Sequence, residues 1–446
     1  MQIQEFLDCL FAAAEKAGLK DYEAYATESE SFRVSVQNAA VEDYRVNSSR
    51  AVSFRVIDNG KAGYAFTRAL DEDAVAMLIR EASQNAKVVD SDEPQFLYDG
   101  SGEYAKLAFD ASRVEAMTAA EKIELAKTLE AAALSHPEVA RVHSAMVSTS
   151  GAQVYLQNSR GLKLHFNDRM LVAMVMPIVP NGEGFLSGHE FALTRDPATV
   201  NVQEVADSAV KEALSMVGAA PLDSGNYPVI FKRGAMSDLL STFSGIFSAE
   251  NAQKGLSQLN GREGETVAAP CVTILDDPLQ ADGVNSRPFD DEGVPTKTKA
   301  IVEKGVLTTL LHNLKTAAKA GVASTGNAYK ASTASPVTVA PINFFIQPGD
   351  KSREELEAAM GNGLVITDVS GLHAGANATS GDFSLICEGY EVVDGKAGRP
   401  MEQMTVSGNF YTLLQNIVAV ANDLRSDGSS VSAPSVWVKE MALAGK

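Results

Sequence analysis

Between Tyr22 and Thr67 apolar and polar residues alternate with a period of two, and this limits the possible folds more than any other feature. YEAYAT, SFRVSVQ, VEDYRV and AVSFRVIDNGKAGYAFT all read as strands. In the last of these Val52, Phe54 and Val56 alternate, Asp58-Asn59-Gly60 supplies a turn, and Tyr64 and Phe66 resume the pattern, which predicts a hairpin. Strands joined by so short a turn must run antiparallel. The same texture returns in VARVHSAMVSTS, in AQVYLQNSRGLKLHF with a turn at Asn158 to Gly161, and in RMLVAMVMPIV.

Helices are fewer and lie between the strand clusters. Ile3, Phe6, Leu7, Leu10, Phe11 and Ala14 share a helical face that ends at Gly18, so the opening reads as an amphipathic helix and not as an export signal. A second helix is expected from about Asp71 to Ala86. A third runs from the capping box Thr118-x-x-Glu121 to about Leu134, and a fourth from about Val202 to Val217. Beyond Gly218 the pattern predicts a helix over Leu239 to Gly255, strands in CVTILDD, INFFIQPG and GLVITDVSG, and a hairpin in AIVEKGVLTTLLH. A helix is capped by Ser352-x-x-Glu355, and a last one spans roughly Asn409 to Ala421. Strands that outnumber helices and arrive in clusters argue for an α+β fold of mainly antiparallel sheets with flanking helices. With 446 residues the chain is too long for one ordinary domain. The linker-like GAAPLDSGNYP (Gly218 to Pro228) places the boundary, giving domains 1–220 and 221–446.

A formal charge of −19 with no basic run argues against direct binding of nucleic acid. LVAMVMPIV is too short for a membrane span, which needs roughly 18 apolar residues. Three scattered cysteines, Cys9, Cys271 and Cys387, suggest neither a disulfide framework nor a zinc ribbon, so a cytoplasmic location is expected.

No catalytic constellation emerges from the residues alone. The six histidines, His136, His143, His165, His189, His312 and His373, are dispersed. His189-Glu190 opens like a zinc-protease motif, but HEFALT places Leu193 and Thr194 where a second imidazole is needed. Asp290-Asp291-Glu292, ahead of Gly293 and Pro295, reads as a tight turn and not a cation loop. Cys387 sits between Ile386 and Glu388, with His373 fourteen positions earlier. Such surroundings suit a buried structural thiol better than a reactive one. GLHAGANATSGDFS lacks the lysine of a phosphate loop; its Asn377, Ser380, Gly381 and Asp382 suit a turn that holds backbone rigidly beside something else, and they are the candidate binding residues. The helix over Leu239 to Gly255 has a packing face (Leu239, Leu240, Phe243, Ile246, Phe247), while its polar positions hold only Ser241, Thr242, Ser244 and Ser248.

The fragments FDDEGVPTKTKAIVEKGVLTTLLHN, STGNAYK, INFFIQPGDKSREEL, AGANATSGDFS and TVSGNFYTLLQNIVAVANDL, in this order, resemble the TldD/PmbA family, and the N-terminal meander extends the resemblance over nearly the whole chain. The resemblance implies a family known as modulators of DNA gyrase or peptide-maturation proteases. Its TldD branch is a zinc metallopeptidase with H-E-x-x-x-H on a central helix and a cysteine ligand near the C-terminus. TldD pairs with a PmbA (TldE) subunit to cleave unfolded or leader peptides. Aligned on Gly245, the two histidines and the glutamate fall on Ser241, Ile246 and Thr242. The cysteine region resembles SDGSSVSAPSVWV, which offers Ser429 and Ser430. Neither set can hold zinc or take a proton from a bound water.

The resemblance therefore implies a non-catalytic, PmbA-like subunit without metal of its own. Zinc is expected in a TldD-type partner, and unfolded peptide as the substrate of the pair, with a homodimer as the alternative assembly. A stand-alone peptide- or protein-binding modulator, and an enzyme with its own site around Cys387 and His373, are the competing readings.

Overall fold

The computed structural model describes residues 1–90, 93–107, 109–281 and 283–446, and it is an α+β structure. Its first half is one sheet. Strands β1 (Asp21–Gln37), β2 (Ala40–Asp58), β3 (Lys61–Thr67), β4 (Arg141–Asn158), β5 (Lys163–Asn181), β6 (Gly184–Ser187) and β7 (Glu190–Thr194) are all antiparallel. They run in the order β3-β2-β1-β4-β5-β6, and β7 also pairs with β5.

The segments that read as separate strands are continuous. YEAYAT and SFRVSVQ are two ends of β1, and VEDYRV and AVSFRVID two ends of β2. Between them lies a polar waist whose residues pair with each other: Glu28 with Arg50, Ser29 with Ser49, Glu30 with Ser48 and Ser31 with Asn47. Arg50 and Glu28 form an ion pair at 2.7 Å, and the Ser29 and Ser49 hydroxyls share a hydrogen bond at 2.8 Å. With neither glycine nor proline present, nothing turns the chain there. β4 and β5 also pass the waist without a break, through Ser150-Gly151-Ala152 paired with Asn167-Asp168-Arg169.

The waist divides one face of the sheet between two cores. Tyr22, Ala24 and Ala26 of β1 with Val52, Phe54 and Val56 of β2 pack under helices α1 (Ile3–Lys16) and α2 (Glu72–Val88). Phe32, Val34 and Val36, with Leu171, Ala173 and Val175, pack under the later helices of this half. After the short α3 (Ser112–Ala116) these are α4 (Ala119–Leu134), begun by the Thr118–Glu121 capping box, and α5 (Val202–Ser215).

The opposite face meets the second half, which begins at β8 (Gly225–Phe231). A six-stranded sheet places β8 between Gly363–Ser370, parallel to it, and Val436–Ala444, antiparallel. A five-stranded sheet centred on Ile274–Asp276 lies beside it. Helix α6 (Arg233–Phe243) packs in the largest core, where Phe243 stacks on Phe410 with ring centroids 4.6 Å apart.

Two helices are shorter than the sequence suggests. The segment expected to be helical from Leu239 to Gly255 leaves the α-helix at Phe243 and passes through a 3-10 turn, Ser244–Phe247. It resumes as α7 (Ala249–Gln253), capped by Ser248. Gly245 disfavours continuation, and the Ser244 hydroxyl bonds back to the Ser241 carbonyl at 2.8 Å. The last helix covers only Phe410–Gln415. Ile417–Val420, rich in β-branched residues, instead pairs as a strand with Val436 to Val438.

Candidate functional site

Helix α6 turns Ala235, Met236, Leu239, Leu240 and Phe243 into the core, which leaves Asp238 and Ser241 on its outer side. There a cavity of about 300 Å³ opens between the two halves. Ser237, Asp238 and Ser241 line it from α6, Asp368 from Gly363–Ser370, and Asp427 and Ser429 from the segment before Val431. Ser241 and Ser429, far apart in sequence and assigned to two different parts of the zinc motif, therefore face the same space.

The other motif positions do not join them. The Thr242 hydroxyl donates to the Asp238 carbonyl at 2.8 Å, and Ile246 is buried in the core. Ser430 lines a neighbouring cavity of about 270 Å³ beside Arg425 and Phe344, which Ser429 also borders but Ser241 does not.

Carboxylates dominate the electrostatics. Burial pushes the Asp238 carboxyl above its ordinary value, and Asp368 and Asp427 push it further in the same direction. Asp368 is raised by burial and then by Glu212. Asp427 is raised by burial against the pull of Arg233 and Arg425. His189, the one imidazole at this cavity, is largely exposed, with Nδ1 3.3 Å from Glu212. Among the described residues no three His, Cys, Asp or Glu side chains converge so as to hold a metal ion. Hydrolytic zinc needs strong nitrogen, sulfur or carboxylate donors in tetrahedral array, and the side chains at Ser241, Thr242, Ile246 and Ser429 do not fit it.

The other candidate residues are occupied elsewhere. Asn377 Oδ1 accepts the Thr379 and Ser380 N–H groups, and the Asp382 N–H donates to Ser380 Oγ. Asn409 Nδ2 donates to the Ser380 carbonyl at 2.9 Å and to Asp382 Oδ1 at 2.8 Å. Gly381 has φ +86°, and a Cβ there would lie 2.6 Å from the Tyr411 ring. These four residues form a turn clamped onto the helix at Phe410. Cys387 is 2% exposed, and its thiol is pushed up to about 12, first by burial and then by Glu388. His373 is exposed on the short helix Leu372–Gly375, and no hydrogen bond joins the pair. Glu190 starts β7 and pairs with Arg425 at 2.8 Å, a tie between the two halves.

Asp290-Asp291-Glu292 do form a tight turn, with the Gly293 N–H donating to the Asp290 carbonyl at 2.9 Å, but the turn is buried against the first sheet. Asp291 accepts from Tyr25 Oη at 3.0 Å, Arg287 Nη1 at 3.0 Å and the Lys330 N–H at 2.7 Å. Asp290 accepts three backbone N–H groups, from Glu292, Val294 and Ala328. Glu292 accepts the Leu314 N–H at 2.8 Å. The buried ion pair Glu23–Arg55, 2.8 Å, stands close by in the sheet. Burial raises Glu292 to about 7 against the pull of Arg55, and lowers Lys330 to about 8. Single-sequence reading missed this lock because its partners, Glu23, Tyr25 and Arg55, lie more than two hundred positions away.

A cavity of about 530 Å³ opens near the waist. Ser29, Ser31, Asn47, Ser49, Ser150 and Asp168 of the sheet line it on one side, and Asn285, Arg287 and Gly428 on the other.

Comparison with known proteins places this architecture. Family profiles match residues 22–86 as PmbA/TldA metallopeptidase domain 1, 112–217 as the central domain and 224–445 as the C-terminal domain. The first match spans β1 to β3 and α2 and the second α3 to α5 with β4 to β7, and the two share one sheet. "Metalloprotease PmbA" of Escherichia coli O157:H7 is 27% identical over 93% of this chain and 90% of its own length. "Metalloprotease PmbA homolog" of Haemophilus influenzae is 26% identical over 97% and 94%. A crystal structure from Thermotoga maritima, whose name ties the protein to modulation of a DNA gyrase, superposes with a TM-score of 0.92 at 36% identity and covers 99% of this chain and 100% of that one. TldE from Thermococcus kodakarensis shares the fold, with a TM-score of 0.90 at 21% identity over 99% and 100% of the two chains. The chain belongs to the PmbA/TldD metallopeptidase family.

Proposed function

We propose that this chain is the non-catalytic, PmbA/TldE-type subunit of a family metallopeptidase that processes unfolded or leader peptides, with hydrolytic zinc carried by a TldD-type partner. The carrying observation is the state of the motif positions. Ser241 faces the cavity beside Ser429, Thr242 is spent on its own helix, and Ile246 is part of the core. A serine hydroxyl, a threonine hydroxyl already donated to its own helix and a buried isoleucine supply neither imidazole ligands nor the glutamate that takes a proton from bound water. The 530 Å³ cavity along the waist, where Ser29, Asn47 and Ser49 stand beside Val154, Phe166, Met170 and Leu193, supports a role in holding extended peptide, since its hydroxyl and amide groups match main-chain donors and acceptors and its apolar surface can receive side chains.

The test mixes the purified chain with a TldD-type chain and follows cleavage of an unfolded peptide. Cleavage should require both chains and vanish with a chelator. Equal cleavage by the TldD-type chain alone refutes the subunit role, and chelator-sensitive cleavage by this chain alone refutes the assignment of the chemistry to a partner.

A further inference from the structure

The cavity beside Ser241 does not end at helix α6. It continues into a cleft of about 790 Å³ between the two halves, and His189, Glu190, Glu212, Lys232, Arg233 and Thr367 line both spaces. Lys232 and Arg233 stand at the junction, where β8 passes into α6. The strands on either side of β8 hold their backbone in place. The Lys232 N–H donates to the Ile366 carbonyl at 2.8 Å, and the Arg233 N–H to Ser435 Oγ at 3.1 Å. Lys211 on α5 and Lys396, at the start of the strand Lys396–Asn409, stand on the exposed rim of the cleft.

Charges in this cleft are unevenly matched. Its carboxylates are engaged within the chain. Glu190 pairs with Arg425 at 2.8 Å, and Glu212 accepts the His189 N–H at 2.6 Å. Glu357 lies 3.2 Å from Arg353 and accepts from Tyr390 Oη at 2.7 Å, while Glu354 also pairs with Arg353. Asp423 accepts the Ser435 N–H and hydroxyl, both at 2.7 Å. Among the described residues no carboxylate forms an ion pair with Lys211, Lys232, Arg233 or Lys396. Lys232 is the telling case. It is half-buried, and desolvation, ahead of any neighbouring charge, pulls its ammonium below the ordinary lysine range. An ammonium drawn out of water without a counter-ion costs folding stability. A chain of net charge −19 has carboxylates enough to supply one, yet none stands there.

We propose that Lys232 and Arg233, with Lys211 and Lys396 at the rim, form a binding site for the C-terminal carboxylate of a short peptide. A guanidinium and an ammonium lining one space can hold the two oxygens of a single carboxylate. The inner end of the same cleft selects against larger anions. Asp238, Asp368 and Asp427 lie there beside Ser241, and they repel a phosphate dianion or a nucleic-acid strand more than one carboxylate. An ammonium at the far end of the ligand meets these acids with the favourable sign. The waist cavity reaches Gly428, and its chain neighbours Asp427 and Ser429 line this cleft, so the two spaces lie on either side of one segment. Peptide as the bearer of the carboxylate rests on the peptide-processing role proposed above; the unpaired cations do not.

The experiment is calorimetric titration of the full chain, without a TldD-type chain, using tetra-alanine as the free acid, the same peptide amidated at its C-terminus, and inorganic phosphate. The free acid should bind, and amidation should weaken it at least tenfold. Lys232→Met should weaken the free acid at least tenfold while melting no lower than the parent, because it keeps the apolar stem and removes an unpaired charge. Lys232→Arg should retain binding. Lys396→Met, at the exposed rim, should weaken binding severalfold with melting unchanged. The inference is overturned if acid and amide bind alike, or if phosphate binds more tightly than the free acid. It is equally overturned if neither methionine variant changes the affinity, or if no peptide binds at millimolar concentration. Because no TldD-type chain is present, such a result counts against this cleft alone, and the two-chain cleavage assay still decides the subunit role.

Discussion

Replacing Asp291 by alanine tests whether the buried acid turn locks the two halves together. The carboxylate is 4% exposed and receives Tyr25 of the first sheet, Arg287, and the Lys330 backbone. Asp291→Ala leaves the guanidinium without its close counter-ion and two further donors without an acceptor. Breaking a buried, hydrogen-bonded pair from one side costs about 3–5 kcal/mol. Asp291→Asn keeps one acceptor oxygen and should lose less, about 1–2 kcal/mol. For 446 residues melting as one unit, an unfolding entropy of about 2.1 cal/mol/K per residue gives about 0.9 kcal/mol per degree. Asp291→Ala should therefore lower Tm by about 3–5 °C in scanning calorimetry. Because Tyr25 and Asp291 belong to different halves, the endotherm should also split as they begin to melt separately. A variant that melts within a degree of the parent, in one transition, would refute the reading of this turn as a lock.

Two further outcomes follow from the same geometry. Glu292 has a folded pKa of about 7 against an ordinary 4.5, so the folded state binds the extra proton. Its contribution to stability is fully present below pH 4.5 and is lost as pH rises to about 7; Glu292→Gln should flatten this slope and raise stability at pH 8 by up to about 3 kcal/mol in urea titrations. An unchanged slope would show that Glu292 does not hold the proton. Gly381→Ala should destabilise by about 1–3 kcal/mol, since φ is +86° and the methyl would meet the Tyr411 ring; a neutral result in thermal melts would mean that the turn relaxes freely.

Local pattern was legible wherever one face of an element is buried. Val52, Phe54 and Val56 alternate with Ser53 and Arg55 because one face of β2 meets the apolar core under α1 and α2 while the other buries polar contacts, and the Thr118–Glu121 box starts α4 where its side chains dictate. Strand length was not legible, because Glu28 to Ser31 and Asn47 to Arg50 carry no apolar signal and are held as strand by each other. The end of the helix near Ser241 escaped for a related reason. Ile246 and Phe247 keep the helical spacing of buried positions although the backbone has tightened into a 3-10 turn. The buried acids were read correctly as a turn, but their burial depends on a sheet distant in sequence. At the candidate site the sequence shows Ser241, Thr242 and Ile246 where the resemblance expects metal-binding side chains and a base. It could not show that Ser241 and Ser429 share a cavity while Ile246 does not, which depends on how α6 ends.

Because the one continuous strand β1 carries buried residues of both cores of the first half, odd-even parity must be kept along it from one core to the other. Tyr22, Ala24 and Ala26 precede the waist and Phe32, Val34 and Val36 follow it, all at even positions. Deleting one residue between Glu28 and Ser31 would leave one cluster in place and turn the other inside out. The waist should therefore accept changes of side chain readily and tolerate insertions or deletions only in pairs. In most proteins a polar, loop-like stretch of sequence is where length is free to vary; in this sheet it is where length is most strictly counted.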